Sequence, residues 1–385
     1  MTEAAAAPGQ RRLATIEGLN RVLVALVGVS DKVSDIIFSP GKPAQVELNS
    51  QLRGARIPGL ELLTEEDTAD LARVLTENNA LAAETLRLNG SADLSHAIGD
   101  KARFRVNIFR QRGTFAAVLR VIPTQIPTFE QLGLPPVLKE IAELKNGIVL
   151  VTGPTGAGKS STLAAVIDLI NETRADHVVT IEDPIEFSHK HKKSTIHQRE
   201  LHSDTPTFAL ALRAALRQAP KVILVGEMRD VETIETAFEA AETGHLVLST
   251  LHTIDASKTV DRIIGVFPKS EERIVRTRLA ATFRFIVSQR LLSRTGGKGR
   301  VAAIEILKTN GRTQEYIIKG ESGGKSLVDA MNDGELDGMQ SFDKVLEGLA
   351  RDKTVTVATA LAYATNRTNL QLNLHDLVAD SEGPA

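Results

Sequence analysis

Short apolar runs alternate with amphipathic stretches throughout the second half of the chain. Four runs rich in Val, Ile and Leu have the length of a strand and no polar alternation, which predicts strands buried on both faces, at 148–152, 178–182, 222–226 and 246–250. Apolar residues spaced three and four apart predict helices, at 160–172, 206–217, 231–242 and 256–265. This regular alternation predicts a parallel sheet with helices on both faces.

The N-terminal third of the chain has a different pattern. It predicts two helices and four strands, the helices at 13–29 and 64–76 and the strands at 34–38, 44–48, 103–108 and 115–122. The third strand alternates strictly between apolar and polar residues, and a Gly-containing turn separates it from the fourth. Residues 12–122 are therefore predicted to form a mixed α/β domain around an antiparallel sheet.

Prolines and polar stretches mark the expected domain boundaries. The predicted organisation is a disordered tail (1–11), the N-terminal domain (12–122), a proline-marked linker (123–136), a second domain (137–370) and a frayed tail (371–385). Late in the second domain the pattern predicts a long helix (271–292), a Gly-rich loop with a short helix (320–338) and a further helix (342–350).

Composition excludes several classes of protein. The chain has 385 residues, of which 42% are hydrophobic and 24% charged, as is typical of a soluble protein of two or three domains. It has no Cys, which excludes disulfides and thiolate zinc sites. The net charge of −2 argues against nucleic-acid binding. No apolar run reaches the roughly 18 residues of a membrane span, so we expect a cytoplasmic protein.

The strongest chemical signal lies between the first buried strand and the helix after it. Residues 153–160 match the pattern G-x-x-x-x-G-K-[ST]. The predicted nucleotide-binding residues are Gly153, Pro154, Thr155, Gly156, Ala157, Gly158, Lys159, Ser160 and Ser161. Glycines let backbone N–H groups surround phosphate oxygens, and a helix N-terminus adds partial positive charge. In this pattern Lys159 reaches the β- and γ-phosphates and Ser160 binds Mg²⁺. The sequence therefore predicts a site for a nucleoside triphosphate and Mg²⁺.

Carboxylates follow two other strands of the predicted sheet. Glu182, Asp183 and Glu186 lie at or just past a strand end, where they can hold the waters of a nucleotide-bound metal ion or orient an attacking water. Glu227 follows the next strand, with Gly226 in place of the usual Asp. Because such loops converge at one edge of a parallel sheet, we predict Glu227 as the general base. An acidic surface junction and a helix-capping carboxylate are the alternative interpretations.

Histidines raise two further questions. His252 lies at the carboxyl end of the strand 246–250, where it is placed to sense the γ-phosphate, whereas His245 lies at the other end and could order the strand. A purely structural role is the alternative for both. Residues 189–202 are rich in His and Lys, but their spacing fits no usual zinc pattern and the lysines would repel a cation. We interpret this stretch as a solvated basic loop.

Taken in order, these segments resemble the PilT family of type IV pilus retraction ATPases, within the wider type II/IV secretion ATPase superfamily. GPTGAGKSS, TIEDPIEF, ILVGEMRDVETI and GHLVLSTLHT are similar to the family's Walker A, Asp box, Walker B and His box. The similarity extends to Ser34-Asp35, RFRVN at 103–107, HQRE at 197–200 and GMQSFD at 338–343, and so covers most of residues 30–350.

The resemblance implies a fold and an assembly. The implied fold is α/β, with a PAS-like N-terminal domain before a RecA-like P-loop ATPase domain that ends in a helical C-terminal part. The implied assembly is a homohexamer at the cytoplasmic face of the inner membrane. It would work with an inner-membrane pilus platform protein and, as a further option, a paralogous retraction ATPase, and without nucleic acid.

The resemblance also assigns residues. The catalytic set is expected to be Glu227, Glu182, Glu186, His252, Arg105 and Arg120, and the metal ligands Ser160 and Asp183. The two arginines fall where the family's N-terminal domain supplies arginines to the nucleotide, and an Arg at the γ-phosphate stabilises transition-state charge. Surface cations on a half-exposed strand are the alternative interpretation of both.

Two segments depart from the family pattern. Ala219-Pro220-Lys221 stands where the family usually has Asp-Pro-Asp, and residues 311–319 replace the usual motif AIRNLIRE. Extension ATPases of the superfamily usually carry a four-cysteine zinc motif and a longer N-terminal region, and their lack here favours the retraction branch. We therefore expect a motor for pilus retraction and twitching motility. An accessory paralogue, an assembly or secretion ATPase, and a ring partner that binds ATP without hydrolysing it are the alternatives.

Overall fold

The structure is a computed structural model, and it describes residues 12–30, 32–48, 51–99, 101–123, 125–297, 299–322 and 325–377. The chain divides into two compact units. The first unit contains the N-terminal part up to Gln125 together with Pro184–Ser188 and Glu200–Pro206, and the second contains the rest. The predicted tail 1–11 and the end of the predicted tail 371–385 lie outside the described residues.

In its described residues, the first unit is built on a six-stranded sheet with three helices. Its strands are β1 (Val33–Phe38), β2 (Gln45–Leu48), β3 (Gln51–Gly54), β4 (Ser91–Ile98), β5 (Ala102–Gln111) and β6 (Thr114–Ile122). Its helices are α1 (Ile16–Val27), α2 (Glu65–Thr76) and α3 (Ala80–Asn89). The sheet order is β3-β2-β1-β6-β5-β4, and every neighbouring pair is antiparallel.

Alternation of apolar and polar residues, clearest in β5, gives this sheet one buried face. In β5, for example, Phe104, Val106 and Ile108 are buried while Arg105 between them is exposed. The buried residues form one core cluster with leucines of the three helices. The predicted α/β domain with an antiparallel sheet is confirmed. The sequence pattern missed β3 and β4, because β3 is exposed at every position and β4 carries polar residues.

The second unit contains seven strands among its described residues, and most of the helices. Its strands are β7 (Gly147–Thr152), β8 (His177–Glu182), β9 (Thr195–Glu200), β10 (Val222–Val225), β11 (Leu246–Leu251), β12 (Phe283–Ser293) and β13 (Arg300–Lys308). Its helices are α4 (Phe129–Leu132), α5 (Lys159–Thr173), α6 (Phe208–Ala215), α7 (Val231–Glu242), α8 (Ala256–Ile264), α9 (Glu272–Thr282), α10 (Gly311–Lys319), α11 (Leu327–Asp333), α12 (Phe342–Arg351), α13 (Val357–Tyr363) and α14 (Arg367–Asn373). Short 3₁₀ segments occupy Pro136–Glu143, Lys269–Glu271 and Glu335–Asp337.

The sheet of the second unit is mainly parallel. Its order is β13-β12-β7-β11-β10-β8-β9, in which β12, β7, β11, β10 and β8 run parallel and β13 is antiparallel to β12. The central strand β7 is buried at all six positions, as expected of a parallel strand covered on both faces. The predicted parallel sheet and its four strands are confirmed.

The long helix predicted at 271–292 is wrong. The helix α9 ends at Thr282, because Phe283 takes an extended conformation, and the chain continues as β12. β12 lies between β7 and β13, and its apolar run is buried on both faces. Such a run shows no alternation, so periodicity alone does not separate it from a buried helix.

The segment between the two domains and the C-terminal helices both pack into the second unit. Phe129 and Leu134, in the predicted linker, are buried in the core around β7. The helices α12 to α14 form a separate cluster with Leu292 that continues to Leu374, past the predicted boundary at 370. Among the described residues, none of the helices combines the length and the apolar character needed to span a bilayer.

Candidate active site

The loop between β7 and α5 has the backbone of a phosphate-binding loop. Gly153, Gly156 and Gly158 all have positive φ, at 145°, 78° and 90°. A Cβ atom at Gly153 would lie 2.4 Å from the backbone oxygen of Gln289, so a side chain there does not fit. Gly158 is the N-cap of α5 and carries no side chain that could fill the space at the helix N-terminus. The loop can therefore present backbone N–H groups to an anion, as a nucleotide site requires.

Lys159 is the first residue of α5, and its side chain reaches back to this loop. Its side chain is buried, and Nζ donates to the backbone oxygens of Gly153 at 2.8 Å and of Pro154 at 3.0 Å. These carbonyls hold the ammonium group beside the place where the pattern requires the β- and γ-phosphates. Ser160 and Ser161 follow in the first turn of α5. The residues present thus fit a nucleotide phosphate chain, with the Ser160 hydroxyl available to a bound cation.

Glu227 stands in the loop after β10 and is held by charged neighbours. Its side chain is 20% exposed, and Oε2 lies 2.6 Å from Nη2 of Arg229 and 3.7 Å from Nε2 of His252. Gly226 before it donates to the oxygen of Ile181 at 2.8 Å and accepts from Oγ1 of Thr250 at 2.6 Å. A Cβ atom at 226 would lie 3.2 Å from the backbone oxygen of Ile181, so a side chain there would require a small shift of its neighbours.

The structure brings His252, Glu227 and Lys159 to one edge of the sheet. The pKa of His252 is lowered from 6.5, first by burial and then by the positive charges of Lys159 and Arg229, while Glu227 opposes the shift. At pH 7 the imidazole is therefore mainly neutral. A neutral ring can accept or donate a hydrogen bond next to Glu227 without adding charge. Sequence reasoning had grouped these three residues but had not found Arg229.

The acidic segment after β8 divides into different environments. Oε1 of Glu182 accepts from Oγ1 of Thr180 at 2.6 Å and from Nε2 of Gln198 at 3.1 Å. Asp183 and Glu186 are exposed, and Glu186 belongs to the first unit. Glu182 is thus restrained by its neighbours, which makes it a weaker candidate than Glu227 for the general base. A role of Asp183 in metal binding stays a prediction.

Arg105 and Arg120 lie side by side on the sheet of the first unit. They are direct cross-strand partners in β5 and β6, and Arg105 is exposed. Nε of Arg120 donates to Oδ1 of Asp35 at 2.9 Å, which orients its guanidinium group. The sequence thus identified two arginines that share one sheet face. Their action on a nucleotide stays a prediction.

Two histidine interpretations can be compared with the structure. Nδ1 of His245 lies 2.9 Å from the backbone oxygen of Ala240, which fits the structural role considered for it. Most basic residues of the stretch 189–202 are exposed, as expected of a solvated surface, but residues 195–200 form the strand β9 and not a loop. His189 is largely buried, and burial lowers its pKa to about 4. Lys192 binds Asp168 at 2.7 Å and Glu172 at 2.8 Å on α5. The charge pattern alone could not show that α5 offers these acidic partners.

The fold and the site define a P-loop ATPase, and comparisons with known proteins place it in a family. Residues 72–350 match the family model described as type II/IV secretion system protein. The chain belongs to the type II/IV secretion system protein family. Relatives named as PilT retraction ATPase and twitching motility protein match over most of both chains, so the resemblance to the PilT family is confirmed and the chain hydrolyses ATP.

Three relatives and one solved structure show how far the similarity extends. The chain is 43% identical to the type IV pilus retraction ATPase PilT of Pseudomonas aeruginosa over 82% of this chain and 90% of that protein. It is 44% identical to a twitching motility protein of Neisseria gonorrhoeae, over 83% of this chain and 84% of that protein. It is 38% identical to the type IV pilus ATPase PilU of P. aeruginosa, over 88% of this chain and 87% of that protein. A crystal structure of the pilus retraction motor PilT with bound ADP superposes with a TM-score of 0.81 at 39% identity, covering 92% of this chain and 99% of that one.

Proposed function

We propose that this chain is the ATPase motor that powers type IV pilus retraction, and with it twitching motility. The observation that carries the proposal is 43% identity to a retraction ATPase over 82% of this chain and 90% of that protein, together with the loop, Lys159 and Glu227 described above. Lys159 and Glu227, the two residues on which we expect hydrolysis to depend most, lie at one edge of the sheet. These features favour an active motor over a ring partner that only binds ATP.

The chemistry assigns a role to each part of the site. The loop from Gly153 to Ser160 would bind the phosphates of ATP, and Lys159 would neutralise charge on the β- and γ-phosphates. Mg²⁺, held by Ser160 and by Asp183 through water, would neutralise further charge on the phosphates. Glu227 would accept a proton from the attacking water, while the neutral His252 beside it would help to orient that water.

We further propose that the active unit is a homohexamer in which Arg105 and Arg120 act on the nucleotide of a neighbouring subunit. The pair of cross-strand arginines, both exposed, is available for such a contact. Positive charge from a second subunit would stabilise the charge that develops at the γ-phosphate. The change in these contacts after hydrolysis would then move one subunit against the next.

Subunit mixing tests catalysis between subunits. We expect little activity from rings of Arg105→Ala,Arg120→Ala subunits and from rings of Lys159→Ala subunits, but partial recovery when the two are mixed. Recovery arises because some interfaces then combine an intact loop with intact arginines. As a control, mixtures of Lys159→Ala and Glu227→Gln subunits should not recover, because both defects lie on the same side of the interface. Full activity in a species that light scattering shows to be monomeric would contradict the proposal.

The proposed function implies a location in the cell and a partner protein. The motor would lie in the cytoplasm against an inner-membrane pilus platform protein, and it would meet the membrane only through that partner. The near-neutral net charge of −2 gives no reason to expect a nucleic-acid partner.

An accessory motor is the second candidate. The observation that favours it is the departure of residues 311–319 from the retraction-family pattern, and the chain is also 38% identical to the type IV pilus ATPase PilU over a similar share of both chains. The altered segment at 311–319 would be a place where a principal and an accessory motor differ.

Deletion of the gene separates these functions. A principal retraction motor predicts cells with abundant surface pili that do not twitch, because assembly continues while disassembly stops. An accessory motor predicts normal piliation with weakened motility, and an assembly ATPase predicts bald cells. Pili counted by electron microscopy and spreading on a surface, measured in the same strain, distinguish the three outcomes, and bald cells would overturn the proposal.

A further inference from the structure

A buried carboxylate lies beside the segment that follows His252. Glu305, in β13, is 1% exposed. Its Oε1 accepts a hydrogen bond of 2.8 Å from the backbone N–H of Ala256, the first residue of α8. This N–H is one of the helix-terminal donors that have no partner inside the helix. Glu305 thereby fixes the end of the His252 segment, residues 252–256.

The same carboxylate is connected to the base of the phosphate loop. Glu305 is hydrogen-bonded to the side chain of Ser288, its cross-strand partner in β12. Oγ of Ser288 accepts from Oγ1 of Thr152 at 3.1 Å, and Thr152 directly precedes Gly153. All of these side chains are buried. A continuous set of hydrogen bonds thus joins the phosphate loop to the His252 segment.

A second bond ties the His252 segment to the C-terminal helices. Nη2 of Arg290, in β12, donates to the backbone oxygen of Ile254 at 3.2 Å. Its Nη1 donates to the backbone oxygen of Tyr363, and its guanidinium lies 3.7 Å from the ring centroid of Phe342. The hairpin of β12 and β13 therefore holds the His252 segment at two points.

An interior carboxylate is costly, and packing alone does not require one. Burial raises the pKa of Glu305 to about 7, and the nearby Asp255 adds to the rise, while the Ala256 N–H, Ser288 and Arg290 oppose it. An apolar side chain of similar size often stabilises such a site at least as well. The carboxylate is better explained by its hydrogen bonds, which connect the phosphate loop to the His252 segment.

We propose that Glu305 is a positioning residue for ATP hydrolysis, which holds the His252 segment in place relative to the phosphate loop. The proposal rests on the ATPase activity and not on the direction in which the motor works. Glu305 touches no reacting atom, so it acts through the placement of His252, and its loss should affect kcat more than KM.

The test compares Glu305→Leu, which removes the acceptor, with Glu305→Gln, which keeps an acceptor but cannot ionise. At temperatures where circular dichroism shows equal folded fractions, Glu305→Leu should lower kcat by about 10-fold and change KM for ATP by less than about 3-fold, since small misplacements of a catalytic group are costly. Glu347→Gln, which removes a surface carboxylate on α12 that binds Arg351, is the matched control and should keep wild-type kcat.

The pH profile gives a readout that packing alone would not move. Ionised Glu305 is the stronger acceptor for the Ala256 N–H, so wild-type kcat should gain a component that rises from pH 6 to pH 8 and is missing in Glu305→Gln. Asp255 and Arg290 face Glu305, and Asp343 faces Arg290, and all three are retained in both proteins. The difference between the two pH profiles therefore reports the ionisation of Glu305.

Stability supplies an independent check on the ionisation itself. Because the folded-state pKa is raised from 4.5 to about 7, the stability that protonated Glu305 contributes is present below pH 4.5 and is lost as pH rises through about 7. The Tm of the wild type should fall relative to that of Glu305→Gln across this window.

Wild-type kcat and a wild-type pH profile in both variants would overturn the proposal. If Glu305→Leu does not fold, a Glu305→Gln profile that superposes on the wild type overturns it alone.

Discussion

Glu227→Gln is expected to bind ATP normally and to hydrolyse it roughly 10²–10⁴-fold more slowly than the wild type, because it loses the general base. Gln keeps the shape of the side chain but cannot accept the proton of the attacking water. The structure supports this role, since Glu227 is the carboxylate within 3.7 Å of His252 and is oriented by Arg229 at 2.6 Å. Steady-state phosphate release measures turnover, and the fluorescence of a labelled ATP analogue measures binding.

A comparison with Glu182→Gln makes the Glu227 experiment specific. Glu182 is already engaged by Thr180 and Gln198, so its substitution should reduce turnover less. Near-normal turnover in Glu227→Gln would move the base to the acidic segment after β8, with Glu182 or Glu186 as the next candidates.

Lys159→Ala is expected to weaken ATP binding as well as turnover. Removal of a charge-assisted bond to phosphate costs about 1.5–3 kcal/mol, which corresponds to roughly 10–100-fold in affinity. Turnover should fall further, because charge on the γ-phosphate grows in the transition state. Equilibrium titration with the labelled analogue and phosphate release measure the two effects separately.

Lys192→Ala is the matched control for Lys159→Ala. Lys192 packs on the same helix, α5, through Asp168 and Glu172, but it takes no part in the phosphate loop. It should keep wild-type affinity and turnover. Equal affinity for ATP in Lys159→Ala and Lys192→Ala would contradict the assignment of the loop.

The sequence predicted those parts of the site that depend on short motifs. The geometry of the predicted phosphate loop can be predicted because its glycines, lysine and serine follow each other along the chain between a strand and a helix. Glu227 and His252 were grouped correctly because parallel strands bring their carboxyl ends to one edge. In both cases a local pattern determines the spatial arrangement.

The parts that sequence reasoning missed depend on contacts between distant positions. Glu305 meets Ala256 only because β13 pairs with β12, and β12 was mistaken for a helix. A strand that is buried on both faces has no period from which to recognise it. The partners of Lys192 on α5 were missed for a similar reason, since no local signal indicates which helix a loop will cover.

The most direct test of the account is to watch single pili in cells whose chromosomal gene carries Glu227→Gln. Fluorescently labelled pilins allow extension and retraction to be timed on the same pilus. If this ATPase pulls, pili should extend at the wild-type rate and then stay extended, and wild-type subunits expressed from a plasmid should restore retraction. Retraction at wild-type speed and frequency, in cells whose purified variant hydrolyses no ATP, would contradict the central claim that hydrolysis at this site drives retraction.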